Sequence, residues 1–275
     1  AHPARSDAED LLAILRSPRA HSLRNAPRVR LLGPVDILGA TGPVDVSGRG
    51  RLIEIGSYLA LNPGSDQRAL DLVLHPGAVQ GDPEAAGHAA RELESAVDRL
   101  RHWLGQDGEG RVFLATDGSG AHAFSPAVTC DWDDFRSLYR RGMRSTSPAA
   151  DAALAHALAL VRGAPFAEVT QGSYGWAEPF RQDMVAAVLD TAHELAARRL
   201  QHGDFRSAEA AAYRGLAVAP DAELLHRDLL YIYASAGARE QLVKAVNRLD
   251  STSRHAARDL EPETVSLLRD LMEQP

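Results

Sequence analysis

The sequence predicts a mainly α-helical protein whose N-terminal part is mixed α and β. Three observations carry this. The composition changes character near residue 127. Before that point short β-type runs and helical stripes alternate and close in a hairpin signal. After it, apolar residues recur at helical spacing, and two glycines stand 34 residues apart.

The elements follow in order. Residues 1–27 are polar, broken by Pro3, Pro18 and Pro27, and read as a leader or linker. The chain begins with Ala1, as expected of a fragment or processed chain. Arg28-Val29-Arg30-Leu31-Leu32 and Val35-Asp36-Ile37-Leu38 are β-type runs separated by the turn signal Gly33-Pro34. Gly39 to Pro43 turns the chain into Val44-Asp45-Val46, and Ser47-Gly48-Arg49-Gly50 reads as a small loop. Leu52, Ile53, Ile55, Tyr58, Leu59 and Leu61 then form a helical stripe that stops at Asn62-Pro63-Gly64. Ala69 to Leu74 is a second short helix, ended by His75-Pro76-Gly77.

A longer helix starts at Asp82-Pro83, an N-cap candidate before a proline in the first helical position. Leu93, Val97, Leu100 and Leu104 share one face, and Gly105 ends the helix. Arg111 to Ala115 and Ala121 to Phe124 flank Thr116-Asp117-Gly118-Ser119-Gly120 as a hairpin. Strands, three helices and a closing hairpin make the order of a winged-helix domain, placed at residues 28–127.

Residues 128–275 read as almost pure helix, with segments 132–144, 147–162, 176–202, 205–218, 221–236, 239–250 and 262–273. Gly203 and Gly237 are 34 residues apart, as are Leu195 and Leu229, which is the tetratricopeptide period. Ala208 and Ala212 are small where two antiparallel helices of such a repeat approach closely. The expectation is a tetratricopeptide-like bundle with a concave binding surface, against an ordinary bundle with a coincident spacing.

Charge and composition exclude several classes. With 30 basic and 37 acidic residues the net charge is −7, which argues against a general nucleic-acid glue. One cysteine, Cys130, allows neither an intramolecular disulfide nor a multi-cysteine metal site. No apolar run approaches the about 20 residues of a membrane helix. Lys244 is the only lysine, and Leu242-Val243-Lys244-Ala245 forms no phosphate loop.

Catalytic motifs also fail. His193-Glu194 opens like a zincin, but Ala197 stands where the second histidine belongs, so His193 reads as a helix-surface or interhelix residue. Ser119 lacks a nucleophile-elbow frame and reads as a turn residue. Gly108 and Gly110 lack a strand-to-helix context. Asp131, Asp133 and Asp134 read as a cap and first-turn acids. Trp132, Phe135, Trp176 and Phe180 read as core aromatics of the first bundle helices. The expectation is a non-enzyme without cofactor or metal.

The ordered set Val29-Arg30-Leu31-Leu32-Gly33-Pro34, Tyr58-Leu59-Ala60-Leu61-Asn62-Pro63-Gly64, Arg99-Leu100-Arg101-His102-Trp103-Leu104-Gly105 and Cys130-Asp131-Trp132-Asp133-Asp134-Phe135 opens a resemblance. It continues through Ala157 to Gly163, Trp176-Ala177-Glu178, Gly203-Asp204 and Pro262-Glu263-Thr264. Together these residues resemble the SARP family of actinobacterial antibiotic-regulatory activators. The resemblance implies an OmpR-type winged helix followed by a bacterial transcriptional activation domain. The spelling around Trp103 and Trp132 is similar to the C-terminal part of large LysM-containing actinobacterial membrane proteins. The location it implies is cytoplasmic, as that portion of a membrane-anchored protein.

The resemblance further implies DNA binding through the third helix and wing, for which Arg91, Ser95, Arg99 and Arg111 are the candidates. Arg101 falls beside the packed stripe. The sequence departs from this pattern. Glu94 and Asp98 stand mid-face, residues 84–104 carry three arginines against four acids, Asp117 offsets Arg111, and Ala121 replaces the family's tyrosine after the wing glycine. Two functions therefore stay open. One is a non-enzymatic regulatory module acting through protein contacts, with DNA binding weakened or lost. The other is a sequence-specific activator that dimerises on DNA and recruits RNA polymerase. For protein contacts, the helices over 176–202 and 221–236 would line the concave groove, offering Arg198, Tyr231 and Tyr233. The two tyrosines diverge by about 200° on their helix, so at most one faces the groove.

Overall fold

A computed structural model describes residues 26–74, 83–170, 173–256 and 259–273. The expected leader up to residue 25, the His75-Pro76-Gly77 stop and the Asp82 cap lie outside the described residues. The chain forms two compact units. Among the described residues, one holds those from Ala26 to Leu31, Val35–Asp131 and Glu168–Glu178. The other holds Leu32–Pro34, Trp132–Ala167 and the chain from Pro179 onward.

In the first unit, β1 (Arg28–Arg30) pairs antiparallel with β2 (Asp36–Leu38), placing Val29 opposite Ile37. Helices α1 (Val46–Leu61), α2 (Gln67–Leu74) and α3 (Pro83–Leu104) follow, then the hairpin β3 (Leu114–Thr116) and β4 (His122–Phe124). A strand that sequence patterning missed, β5 (Thr129–Cys130), runs parallel to β1, and the sheet order is β2-β1-β5. Two residues are too few to show an alternation. Leu93, Val97, Leu100 and Leu104 of α3 are all buried with Ile55, Leu59 and Leu70, so the apolar stripe is the core face. This is a winged helix.

α1 begins six residues before Leu52, through the stretch that reads as a small loop. The Asp45 carboxylate caps it, accepting from Ser47 N–H and Ser47 Oγ. The cap and the packing downstream outweigh the helix cost of Gly48 and Gly50. At Gly56 a Cβ would stand 2.6 Å from Ile37 Cδ1, so only glycine lets α1 lie this close to β2.

The segment around Trp176 corrects a second expectation. Trp176 packs edge-on against Tyr58 of α1 with centroids 5.1 Å apart, and against Tyr174 at 5.7 Å. Glu54 Oε1 accepts from Tyr174 N–H. Trp176, half-buried, thus packs within the winged-helix unit rather than on the bundle helices. Helical periodicity places a residue on a face but does not say which core receives it.

The second unit contains α4 (Asp131–Gly142), α5 (Pro148–Leu160), α6 (Glu178–Gln201), α7 (Phe205–Leu216), α8 (Glu223–Ser235), α9 (Arg239–Ala256) and α10 (Pro262–Glu273). Residues 32–34 are built into it: Arg162 N–H donates to Leu32 O and Ala167 N–H to Gly33 O. Trp132 and Phe135 stack at 5.5 Å in its core.

The 34-residue spacing is realised as one repeated structure. At the end of α6, Gly203 N–H donates to Leu200 O and Asp204 N–H to Arg199 O. At the end of α8, Gly237 N–H donates to Ala234 O and Ala238 N–H to Tyr233 O. Both are Schellman stops, with Gly203 and Gly237 in the left-handed region at φ +71° and +66°. Leu195 and Leu229 are buried in matching positions, and Ala208 and Ala212 are fully buried. α6–α7 and α8–α9 are thus successive tetratricopeptide-like pairs.

Candidate functional site

The winged-helix unit holds α3 by its apolar stripe and turns the opposite face to solvent. Arg91, Glu94, Ser95, Asp98, Arg99 and His102 line one shallow depression there. Arg99 Nη1 lies by the first turn of α1, 3.8 Å from where a Cβ on Gly48 would stand. Of the candidate set, Arg91, Ser95 and Arg99 share this face, and Arg111 does not line it.

Charge on this surface is arranged differently from the order in sequence. Asp98 is ion-paired with Arg101, so Glu94 and Asp98 do not act as two bare carboxylates. Arg101 Nε also donates to Leu114 O at 3.1 Å, and Nη2 to Thr116 Oγ1 at 2.7 Å. Arg101 therefore fastens α3 to the hairpin rather than reaching for a ligand.

Arg111 is 70% exposed but doubly paired, with Asp107 at 2.7 Å and Glu109 at 3.2 Å. This corrects the expectation that Asp117 offsets it. Hydrogen bonds from the Arg111 backbone and side chain hold the Asp107 carboxyl below its usual range. The pairing had a local signal in sequence, acids four and two residues before the arginine. Asp117 instead folds the hairpin turn, accepting from Ser119 N–H at 2.8 Å, Ser119 Oγ at 2.6 Å and Ala121 N–H at 3.1 Å. Ser119 is a turn residue.

In the helical unit, two of the three groove candidates are internal. Arg198 is buried: Nε donates to Glu194 Oε1 at 2.7 Å, and Nη1 to Asp151 Oδ1 at 2.9 Å and Gly142 O at 3.2 Å. It joins α4, α5 and α6 and presents no guanidinium to a partner. Tyr233 is also buried, its hydroxyl donating to Glu209 Oε1 at 2.5 Å and lying 3.2 Å from Tyr213 Oη. Burial, then the Glu209 contact, push that phenol well above its usual range. Tyr231, on the other side of α8, is 49% exposed. Of the three groove candidates only Tyr231 is exposed, in keeping with a divergence that lets at most one of the two tyrosines face the groove.

His193 is an interhelix residue, its Nδ1 2.9 Å from Asp228 Oδ2 across α6 and α8. The hydrogen bond to Asp228 raises its pKa. Among the described residues no group of three or more His, Cys, Asp or Glu could hold a metal ion. No described helix is long and apolar enough to cross a membrane.

Residues 130–274 match the family model of the bacterial transcriptional activator domain. No curated protein matches the chain in sequence. Among solved structures, Mycobacterium tuberculosis EmbR, in complex with a low-affinity phosphopeptide, is similar with a TM-score of 0.67 and 22% identity over 90% of this chain. The match spans 65% of the EmbR chain and is a likeness of fold.

Proposed function

The chain belongs to the bacterial transcriptional activator domain family, and on that premise we propose that it is a SARP-type regulatory module acting mainly through protein contacts, with weakened DNA binding. One observation carries this reading. Of the four arginines on α3 and the wing, Arg101 and Arg111 are already paired with carboxylates, while Arg91 and Arg99 share their face with Glu94. Phosphate attraction grows with the number of cations that meet the backbone, and two per protomer give little of it. The partner meets the helical unit, where the half-exposed Tyr231 combines apolar area with a hydrogen-bonding hydroxyl. Membership of that family supports reading the module as a transcriptional regulator rather than an enzyme, working in the cytoplasm.

Arg91, Ser95 and Arg99 together on the exposed face of α3 favour the second reading, an activator that dimerises on DNA and engages RNA polymerase. Fluorescence anisotropy with random-sequence duplexes and selected repeats, over a salt series, separates the two. The proposal expects weak binding, with log K falling by only about two units per tenfold rise in salt for each protomer. Nanomolar binding to a defined repeat at physiological salt, lost in Arg91→Ala, would overturn it.

A further inference from the structure

His122 lies on β4 and is 7% exposed. Its backbone ties the hairpin to the α1–α2 loop: the N–H donates to Ser65 O at 2.9 Å, and the carbonyl accepts from Gly64 N–H at 3.0 Å. Its ring Nδ1 is 2.9 Å from Thr116 Oγ1, the same oxygen that accepts from Arg101 Nη2 at 2.7 Å. A continuous polar chain therefore runs Asp98–Arg101–Thr116–His122, from α3 across β3 to β4. At its far end His122 Nε2 is buried without a hydrogen-bond partner.

We infer that this chain is a proton-sensitive latch, in which neutral His122 holds the hairpin against α3 and protonated His122 loosens it. Arg101 donates to one lone pair of Thr116 Oγ1, and the threonine proton is then available to Nδ1 as acceptor. Protonation removes that acceptor. It also sets a cation beside the Arg101 guanidinium in a buried ring whose Nε2–H has no oxygen to receive it in either state, so the added charge is poorly solvated, an expensive arrangement.

The carboxylates that could offset the charge come from three elements and are engaged elsewhere. Asp98 of α3 pairs with Arg101, Asp66 accepts from Ala69 N–H at the start of α2, and Asp117 accepts the turn N–H groups. On α1, which also packs against β4, Arg51 and Glu54 pair with each other. Burial first, then Arg101, hold the imidazole below the ordinary histidine range. The sign follows: a detached hairpin takes up a proton more readily than the docked one. Docking is therefore fully stable above the ordinary histidine value of 6.5 and weakens as pH falls from there toward the lowered one. Since the hairpin flanks the exposed face of α3, that face changes with pH whichever partner it meets.

Hydrogen exchange of the full chain, read by mass spectrometry at about pH 7.5 and about pH 5.5 and corrected for intrinsic exchange, tests this. Wild type should lose protection over residues 112–124 several-fold at the lower pH, with residues 205–216 unchanged, and His122→Gln should remove the pH dependence. Equal protection of the hairpin at both values, or the same loss in His122→Gln, would overturn the latch. Should that variant not fold, Thr116→Val keeps the ring and removes its partner. The His122 ring resonance should then titrate higher than in wild type, and an unchanged midpoint counts against the inference.

Discussion

Arg101 in the winged-helix unit and Arg198 in the helical unit each bind a carboxylate and a backbone carbonyl, yet they sit in opposite solvent. The Arg101 side chain is 27% exposed, and its partners Asp98, Leu114 and Thr116 lie within fifteen residues of it. The Arg198 side chain is 6% exposed, and two of its partners, Asp151 and Gly142, are 47 and 56 residues away. Water competes more strongly for the bonds of Arg101 than for those of Arg198. The same residue type is therefore an adjustable fastening in one unit and a fixed one in the other. That suits a hairpin that responds to a proton and a helical array that holds its stacking.

Truncating both arginines tests this contrast most severely. Arg198→Ala strands Asp151, Glu194 and the Gly142 carbonyl, and should cost about 3–5 kcal/mol by urea unfolding. Arg101→Ala should cost about 1–2 kcal/mol, because water reaches the exposed Asp98 and Thr116. Equal losses would erase the distinction. A smaller effect sharpens the helical side. At Gly215 a Cβ would stand 2.3 Å from Leu225 Cδ1 and 2.9 Å from Ala192 Cβ, so Gly215→Ala should cost about 1–3 kcal/mol by overpacking α6, α7 and α8. An unchanged melting temperature would mean those helices can part.

The smallest effect reverses the sign of the hairpin's pH response. Because the Asp228 bond raises the His193 pKa, folded protein holds the proton more tightly than unfolded. The stabilisation is complete below the unfolded value of 6.5 and is lost as pH rises through the raised folded value. With the imidazole side chain 41% exposed, solvent screens much of it. Thermal melts of the helical unit should rise slightly from about pH 8 to about pH 6, and the rise should vanish in His193→Gln.

What could be read in the sequence divides by distance along the chain. The α3 stripe, the Asp117 turn and the 34-residue glycine spacing are local patterns, and each became a local structure. The start of α1 was obscured because two glycines in five residues outweigh one aspartate in propensity, though not in a capped and packed helix. Arg198 and Trp176 misled for a different reason. The partners that bury Arg198 lie mostly on other helices, and the ring that receives Trp176 is Tyr58, more than a hundred residues earlier. Neither distance leaves a periodic trace. Tyr231 and Tyr233 show the remaining case, in which helix geometry said that one must be inside and only the fold said which.

The recurrence of one stop at Gly203 and Gly237 makes the size of the helical array a countable quantity. Each stop returns the backbone to the same geometry 34 residues later, so the stretch from Asp204 to Gly237 ends as it begins, ready to be followed by itself. In such an array every pair touches mainly its neighbours. Gene duplication could then lengthen it by whole pairs without redesign of an existing core, while loss of a fraction of a pair would misalign everything beyond. Evolution in this half of the molecule is thus granular, with relatives expected to differ by multiples of one helical hairpin.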